Sequence, residues 1–185
     1  MNEIRIYTDG ACSGNQNKIN VGGWGAILES GVHRKELFGG EVNTTNNRME
    51  MTALLEALKA LKKDGLCIQV FSDSSYLMNC FREKWYESWY RNGWKTSKKT
   101  DVENRDLWEA LFSYIQKHSI SFYRVKGHIH LTSPQTNWNK LYETFLRWNG
   151  TSFTFEEFHY IVEQNNRADA LANEGMKPFR SRPSV

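Results

Sequence analysis

The sequence predicts a mixed α/β sheet with helices packed on it, and three observations carry that expectation. Apolar and polar residues alternate over Ile4, Ile6 and Thr8, and two further β-prone runs follow before residue 43. From Thr45 the spacing changes to that of a helix, with Met51, Leu54, Leu55, Leu58 and Leu61 on one face. A second short β-prone run, Ile68 to Phe71, comes after that helix, which makes it a candidate parallel neighbour of the first strand through a right-handed crossover. At 185 residues the chain suits one domain, long enough to bury about 70% of the surface its unfolded form exposes.

Taken in order, the first strand is expected to end at the turn Asp9-Gly10. Val21 to Glu29 and His33 to Val42, separated by Ser30-Gly31, read as an antiparallel meander with it. The helix from Thr45 carries Glu50 in its first turns and is expected to stop at Gly65. Ile68 to Phe71 finishes at Ser72-Asp73-Ser74, so a second strand also ends at an aspartate. Tyr76 to Phe81 and Asp106 to His118 read as helices, Ile120 to Val125 as a last strand and Ala168 to Glu174 as part of a terminal helix. These make five strands in all. Residues 1–176 are expected to form a single domain, and residues 177–185, with two prolines and three basic residues, a flexible tail.

Composition narrows the function classes. No stretch approaches the roughly 20 apolar residues of a membrane span, and the N-terminus lacks the apolar core of a signal peptide. Three cysteines without a close pair do not suit a disulfide scaffold, so a reducing compartment, the cytoplasm, is expected. A net charge of +3 is too small to establish a nucleic-acid partner unless the positive residues gather on one face. They do gather in sequence: Trp85, Trp89, Tyr90 and Trp94 sit among Lys84, Arg91, Lys95, Lys98 and Lys99. Cations neutralise phosphates while aromatics pack on sugars or bases. The plainer alternative puts the tryptophans in the core and the lysines on a solvated rim.

If the two aspartate-ended strands lie side by side and parallel, Asp9 and Asp73 face one crevice. A lone strand-end aspartate usually caps a helix or opens a turn. Two converging carboxylates raise each other's pKa unless a cation relieves the repulsion, and magnesium, which takes hard oxygen ligands, is the natural relief.

The segments Tyr7-Thr8-Asp9-Gly10-Ala11-Cys12-Ser13-Gly14-Asn15, Thr44-Thr45-Asn46-Asn47-Arg48-Met49-Glu50, Ser72-Asp73-Ser74, Val125-Lys126-Gly127-His128 and Asn166-Arg167-Ala168-Asp169 resemble type 1 ribonuclease H in order and placement. The resemblance spans most of the chain. It implies the mixed five-stranded sheet with flanking helices of that family, and an endonuclease that hydrolyses the RNA strand of RNA/DNA hybrids, leaving 5′-phosphate products. It also implies a four-carboxylate site, Asp9, Glu50, Asp73 and Asp169, holding two Mg²⁺ ions, with Mn²⁺ able to substitute. Asp9 would bridge both ions, Glu50 and Asp73 would share the first, and Asp169 would hold the second. His128 would be an auxiliary group for proton transfer or product departure, the alternative being an ordinary surface-loop residue.

By the same resemblance, Cys12, Ser13, Gly14, Asn15, Asn46 and Glu50 would meet ribose hydroxyls and Thr45 would seat a DNA phosphate. The stretch of about 82–105 resembles the basic handle of the bacterial form, with Trp85, Trp89, Arg91, Trp94, Lys95, Lys98 and Lys99 binding the DNA strand. A monomer is expected, without a separate N-terminal hybrid-binding domain.

One departure stands out. His128 and Asp169 are 41 positions apart, where the family pattern has a short loop, so an insertion occupies about 130–164 beside the expected active site. Trp138, Leu141, Tyr142, Phe145 and Leu146 fall at helical spacing, as do Phe155, Phe158, Ile161 and Val162 after Gly150, which predicts two short amphipathic helices. Thr154 and Glu157 suit a capping box at the start of the second. The insertion is either a helical hairpin packed on the domain or a surface for substrate or a protein partner, with Lys140 and Arg147 in reach of phosphates. Two rival functions remain: a non-catalytic hybrid-binding adaptor, and a related nuclease acting on other duplexes.

Overall fold

Along the first strand, side chains alternate between two apolar layers, and the whole architecture grows from that alternation. A computed structural model describes residues 3–14 and 19–180. Its elements are β1 (Glu3–Ser13), β2 (Val21–Ser30), β3 (His33–Val42), α1 (Asn46–Lys59), β4 (Cys67–Ser72), α2 (Ser75–Arg82), α3 (Trp85–Arg91), α4 (Arg105–Ile115), β5 (Ser119–Arg124), α5 (Trp138–Asn149) and α6 (Phe155–Arg180). The strands form one mixed sheet in the order β3-β2-β1-β4-β5, antiparallel from β3 to β1 and parallel from β1 to β5. Ile4, Ile6, Ile68 and Val70 pack against α1, α2 and α4 on one face. Tyr7, Ile27 and Phe71 pack against α6 and α5 on the other.

β1 does not stop at Asp9-Gly10 but continues to Ser13, because β2 pairs with it over its whole far half, Asp9 to Gly25 and on to Ser13 with Val21. β4 does stop, its last pair being Thr8 with Ser72. Asp9 therefore lies within a strand whose neighbour on one side has ended. α1 starts where expected, capped by Thr45, whose Oγ1 accepts from the Arg48 amide at 3.2 Å. It ends at Lys59, short of Gly65, which instead makes a turn at φ +71° just before β4.

The insertion is not a pair of separate short helices. α5 is the first of them, but Phe155 to Val162 form the opening turns of α6, which runs unbroken past Asp169 to Arg180. No glycine or proline lies between Phe155 and Ala168 to end it. The capping box is present: the Thr154 amide donates to Glu157 Oε2 at 2.9 Å, and the Glu157 amide to Thr154 Oγ1 at 3.1 Å. Nor do residues 177–180 open a tail. They form the last turn of α6, where Arg180 donates to Ser13 Oγ at 3.1 Å, while 181–185 lie outside the described residues.

The inserted residues belong to the core of the second face. Phe145, Phe153, Phe158, Ile161 and Val162 are buried with Tyr7 and Phe71. The Asn149 side chain accepts from the Arg124 amide at 2.9 Å and donates to the Arg124 carbonyl at 2.8 Å, so it closes the free edge at the end of β5. Replacing Phe158 by Ala is expected to cost about 3–5 kcal/mol of unfolding free energy in urea titrations. A loss below about 1 kcal/mol would show the segment to be peripheral.

Candidate active site

Sheet register builds the centre of the site. Tyr7 and Phe71 are partners in the parallel pair of β1 and β4, and their rings stack at 5.2 Å. Two residues beyond them come Asp9, within β1, and Asp73, just past the end of β4. Glu50 arrives from α1, which approaches closely at Gly10: a Cβ there would collide with the Glu50 amide nitrogen. Asp169 arrives from α6, which rests on β2 at Gly25, the antiparallel partner of Asp9. A Cβ on Gly25 would collide with the Ala168 carbonyl oxygen.

Carboxylate oxygens of Asp9, Glu50 and Asp73 all lie within 4.8 Å of one another. Asp169 lines the same cleft of about 450 Å³, together with Cys12, Asn46, Asn47, Ser75 and His128. Burial and mutual repulsion push the carboxyls of Asp9, Glu50 and Asp73 above the usual range, burial being the largest cause for each; Glu50 rises to about 8. For Asp9 the next causes are the charges of Glu50 and Asp73, with Asp169 adding to them. The Gly10 amide donates to Asp9 Oδ1 at 2.9 Å, but Glu50 Oε2 is buried with no partner among the described residues. Oxygen-only donors, concentrated negative charge and a buried oxygen lacking a partner fit a hard divalent cation.

Asp169 is the fifteenth residue of α6, too far from the helix start for the macrodipole to explain a carboxylate there. His128 is exposed at the mouth of the cleft, with a left-handed backbone at φ +57° that a non-glycine residue rarely adopts. Such strained positions cluster at functional sites.

The expected substrate residues divide. Cys12 and Asn46 line the cleft; Thr45 is exposed at the start of α1, and Gly14 is exposed beyond β1. Ser13 turns its hydroxyl to Arg180 and Met176 on α6, and Asn15 falls outside the described residues. In the basic stretch, Trp94 is only 7% exposed and packs on Tyr90 and Phe112, so it serves the core and not a nucleic-acid surface. Trp89, Lys95 and Lys99 line one groove, while Trp85 is exposed. Lys95 is paired with Asp101, and Arg91 with Glu87 at 3.8 Å; Lys98 and Lys99 are exposed. Asn47, inside the second of the quoted segments, and Ser75, just past Ser72-Asp73-Ser74, line the cleft as well.

The RNase H family model matches residues 1–177. This chain belongs to the ribonuclease H family. It is 55% identical over 128 residues to a ribonuclease H of Syntrophomonas wolfei subsp. wolfei, covering 69% of this chain and 86% of the relative. It is 43% identical over 181 residues to a ribonuclease H of Cupriavidus pinatubonensis, covering 98% of this chain and all of that one. Among solved structures, the PFV RNase H domain superposes with a TM-score of 0.63 at 24% identity over 96% of both chains. LC11-RNase H1 in complex with an RNA/DNA hybrid superposes at 0.53 and 17%, over 96% of this chain and 99% of that one. The bacterial type 1 assignment holds. As a ribonuclease H the chain is a hydrolase of the RNA strand in RNA/DNA hybrids, and the adaptor alternative is not favoured.

Raised carboxyl pKa values fix the sign of a pH effect. The neutral forms favour the fold, so this stabilisation is complete below the ordinary carboxylate range and is lost as the pH rises through about 8, where Glu50 titrates. Glu36, Asp101, Asp106 and Glu157 are shifted downward, so they are already ionised above pH ~5 and do not contribute to a loss of stability above it. In excess EDTA the melting temperature is expected to fall from pH ~5 to ~8 and to recover on adding Mg²⁺. Asp9→Asn should flatten the slope, raise the metal-free melting temperature and abolish recovery. A pH-independent melting temperature would contradict the clustering.

Proposed function

We propose that Asp9, Glu50, Asp73 and Asp169 hold two divalent cations, Mg²⁺ with Mn²⁺ able to substitute, and that RNA strands of hybrids are cut to leave 5′-phosphate ends. The single observation that supports this most is the meeting of the Asp9, Glu50 and Asp73 oxygens within 4.8 Å, with Asp169 on the same cleft. When bound, the cations would polarise the phosphodiester and make water acidic enough to attack it. The four side chains would orient that chemistry, Asp9 from β1, Asp73 from just past the end of β4, Glu50 from one layer of helices and Asp169 from the other. Water adds to phosphorus, the bond to the 3′-oxygen breaks, and the departing oxygen takes a proton. His128, at the rim, can receive or return that proton as the strand is cut.

Discrimination of RNA from DNA rests on the 2′-hydroxyl, which both donates and accepts. Asn46 and the backbone around Cys12, which line the cleft, would meet it. Thr45 Oγ1 already accepts from Arg48, but its hydrogen is free to donate to a phosphate of the other strand. Trp89, Lys98 and Lys99 would follow that strand's backbone; Trp94 drops out of the contact set. All these residues lie on one chain, so a monomer suffices. No helix among the described residues is long and apolar enough to cross a membrane, and Cys12, Cys67 and Cys80 are free thiols, which supports a reducing, cytoplasmic setting.

Matched 5′-labelled RNA/DNA, RNA/RNA and DNA/DNA duplexes, each with Mg²⁺ or with EDTA, test the reading. Internal cuts in the RNA of the hybrid alone, dependent on the metal and carrying 5′-phosphates, are expected. Cutting of RNA/RNA at a comparable rate, or any cutting in EDTA, would overturn it. Asp169→Asn should lower kcat by at least about 100-fold with little change in hybrid affinity.

A further inference from the structure

Next to the catalytic cleft lies a second groove, of about 670 Å³, formed between the end of β5 and the inserted helix α5. The two share Asp73 and His128 in their walls, so the space is continuous from the carboxylates into the insertion. Its charged lining is almost entirely basic: Arg124, Lys126 and Lys140, with Asp73 at the shared end as the one carboxylate. Asn137, Gln135 and Thr144 add neutral hydrogen-bonding groups.

Arg124 is unlike most other arginines of the molecule. Arg5, Arg34, Arg48, Arg91, Arg105 and Arg167 each pair with a carboxylate, and Arg82 donates to carbonyl oxygens. Arg147 does not line the groove and donates to Thr144 Oγ1. Arg124, by contrast, lays its guanidinium over the Trp148 ring at 4.0 Å and forms no ion pair with a described residue. Stacking fixes the plane of the guanidinium while leaving its N–H groups free to bind an oxyanion. Lys126 and Lys140 are exposed and likewise form no ion pair with a described residue. Lys140 also lies in the first turn of α5, a turn without an acidic residue, where a cation opposes the helix dipole. An anion in the groove would relieve that conflict.

We propose that this groove binds phosphates of the strand being cut, flanking the scissile one, and so extends the substrate site along the RNA. The inference rests on the hydrolase reading above. The RNA is the strand in question because the groove opens directly at Asp73 and His128, where the scissile phosphate must lie. Trp89, Lys98 and Lys99 belong with the other layer of helices, on the opposite face of the sheet from α5, and suit the DNA strand. The two basic surfaces thus flank the carboxylates from opposite sides.

Two exposed substitutions, Lys126→Gln with Lys140→Gln, test this without touching the core. Lys62→Gln with Lys63→Gln, exposed before the opposite end of β4, removes the same charge as a control. Hybrid binding is read in an Asp9→Asn background across a salt series. The groove pair should lower the slope of log K against log salt by about 1.5–2 and the control pair by less than about 0.5. With Asp9 intact, the groove pair should raise KM about 5- to 20-fold near 0.15 M salt with kcat within about twofold, and Lys126→Arg with Lys140→Arg should restore it. Hybrids with uncharged methylphosphonate linkages flanking the cut in the RNA should bind the unsubstituted protein more weakly and the groove pair no more weakly. Equal slopes for the two pairs, or sensitivity to uncharged linkages in the DNA strand alone, would overturn the proposal. Absence of hybrid cleavage by the unsubstituted protein would instead remove the hydrolase reading, and the groove with it.

Discussion

Like charges buried together at the end of a sheet are the constraint from which the rest follows. Asp9, Glu50 and Asp73 stand within 4.8 Å of one another, largely out of water, and each pays in lost hydration and in repulsion from the others. No cationic side chain stands among the residues lining the cleft; the nearest titratable base there is His128, at the rim. Such a cluster persists because everything around it is over-determined. The parallel register of β1 with β4 sets two of the carboxylates side by side, and close contacts at Gly10 and Gly25 fix the helices that bring Glu50 and Asp169. Ionisation without a counter-ion is what the cluster resists, and that resistance is also an affinity for divalent cations.

Much of this was legible in the chain because it depends on local pattern. Period-two alternation marked β1, short β-prone runs marked β2 to β5, helical spacing marked α1 and α4, and the aspartates after Tyr7-Thr8 and Phe71-Ser72 pointed to one crevice. What was not legible depends on partners distant in sequence. β1 runs on through Asp9-Gly10, a dipeptide that reads as a turn, because β2 supplies a ladder that local propensity does not show. Phe155 to Val162 read as a separate helix because the sequence between it and Asp169 is polar, Gln164 to Arg167. Yet Gln164 and Asn165 are buried, and the helix passes straight through them.

The aromatic residues of the basic stretch show the same limit. Composition alone joined Trp85, Trp89, Tyr90 and Trp94 into one nucleic-acid surface. Burial separates them: Trp94 inserts against Phe112, Trp89 leans on Trp108 with part of its ring left over, and Trp85 stays out. The core reading is therefore true of Trp94, and of these tryptophans only Trp85 and part of Trp89 stay exposed. A tryptophan's large apolar surface stabilises the core whenever the backbone allows it inward, and only what remains outside is free to meet a ligand.

The insertion resolves in a comparable way, by face and not by segment. α5 directs Phe145 into the core beneath the sheet, while Lys140 and Trp148 on the same helix border the groove that opens at Asp73. Its apolar side explains why the segment is ordered beside the active site, and its basic side gives that order a use. Cations placed in the cleft itself would neutralise the carboxylates and compete with metal. Set along a neighbouring groove and left without carboxylate partners, they leave the metal-binding charge intact and still attract a polyanion across the opening. An acidic centre and a basic border are thus complementary demands of one substrate, whose scissile phosphate needs metal and whose flanking phosphates need protein cations.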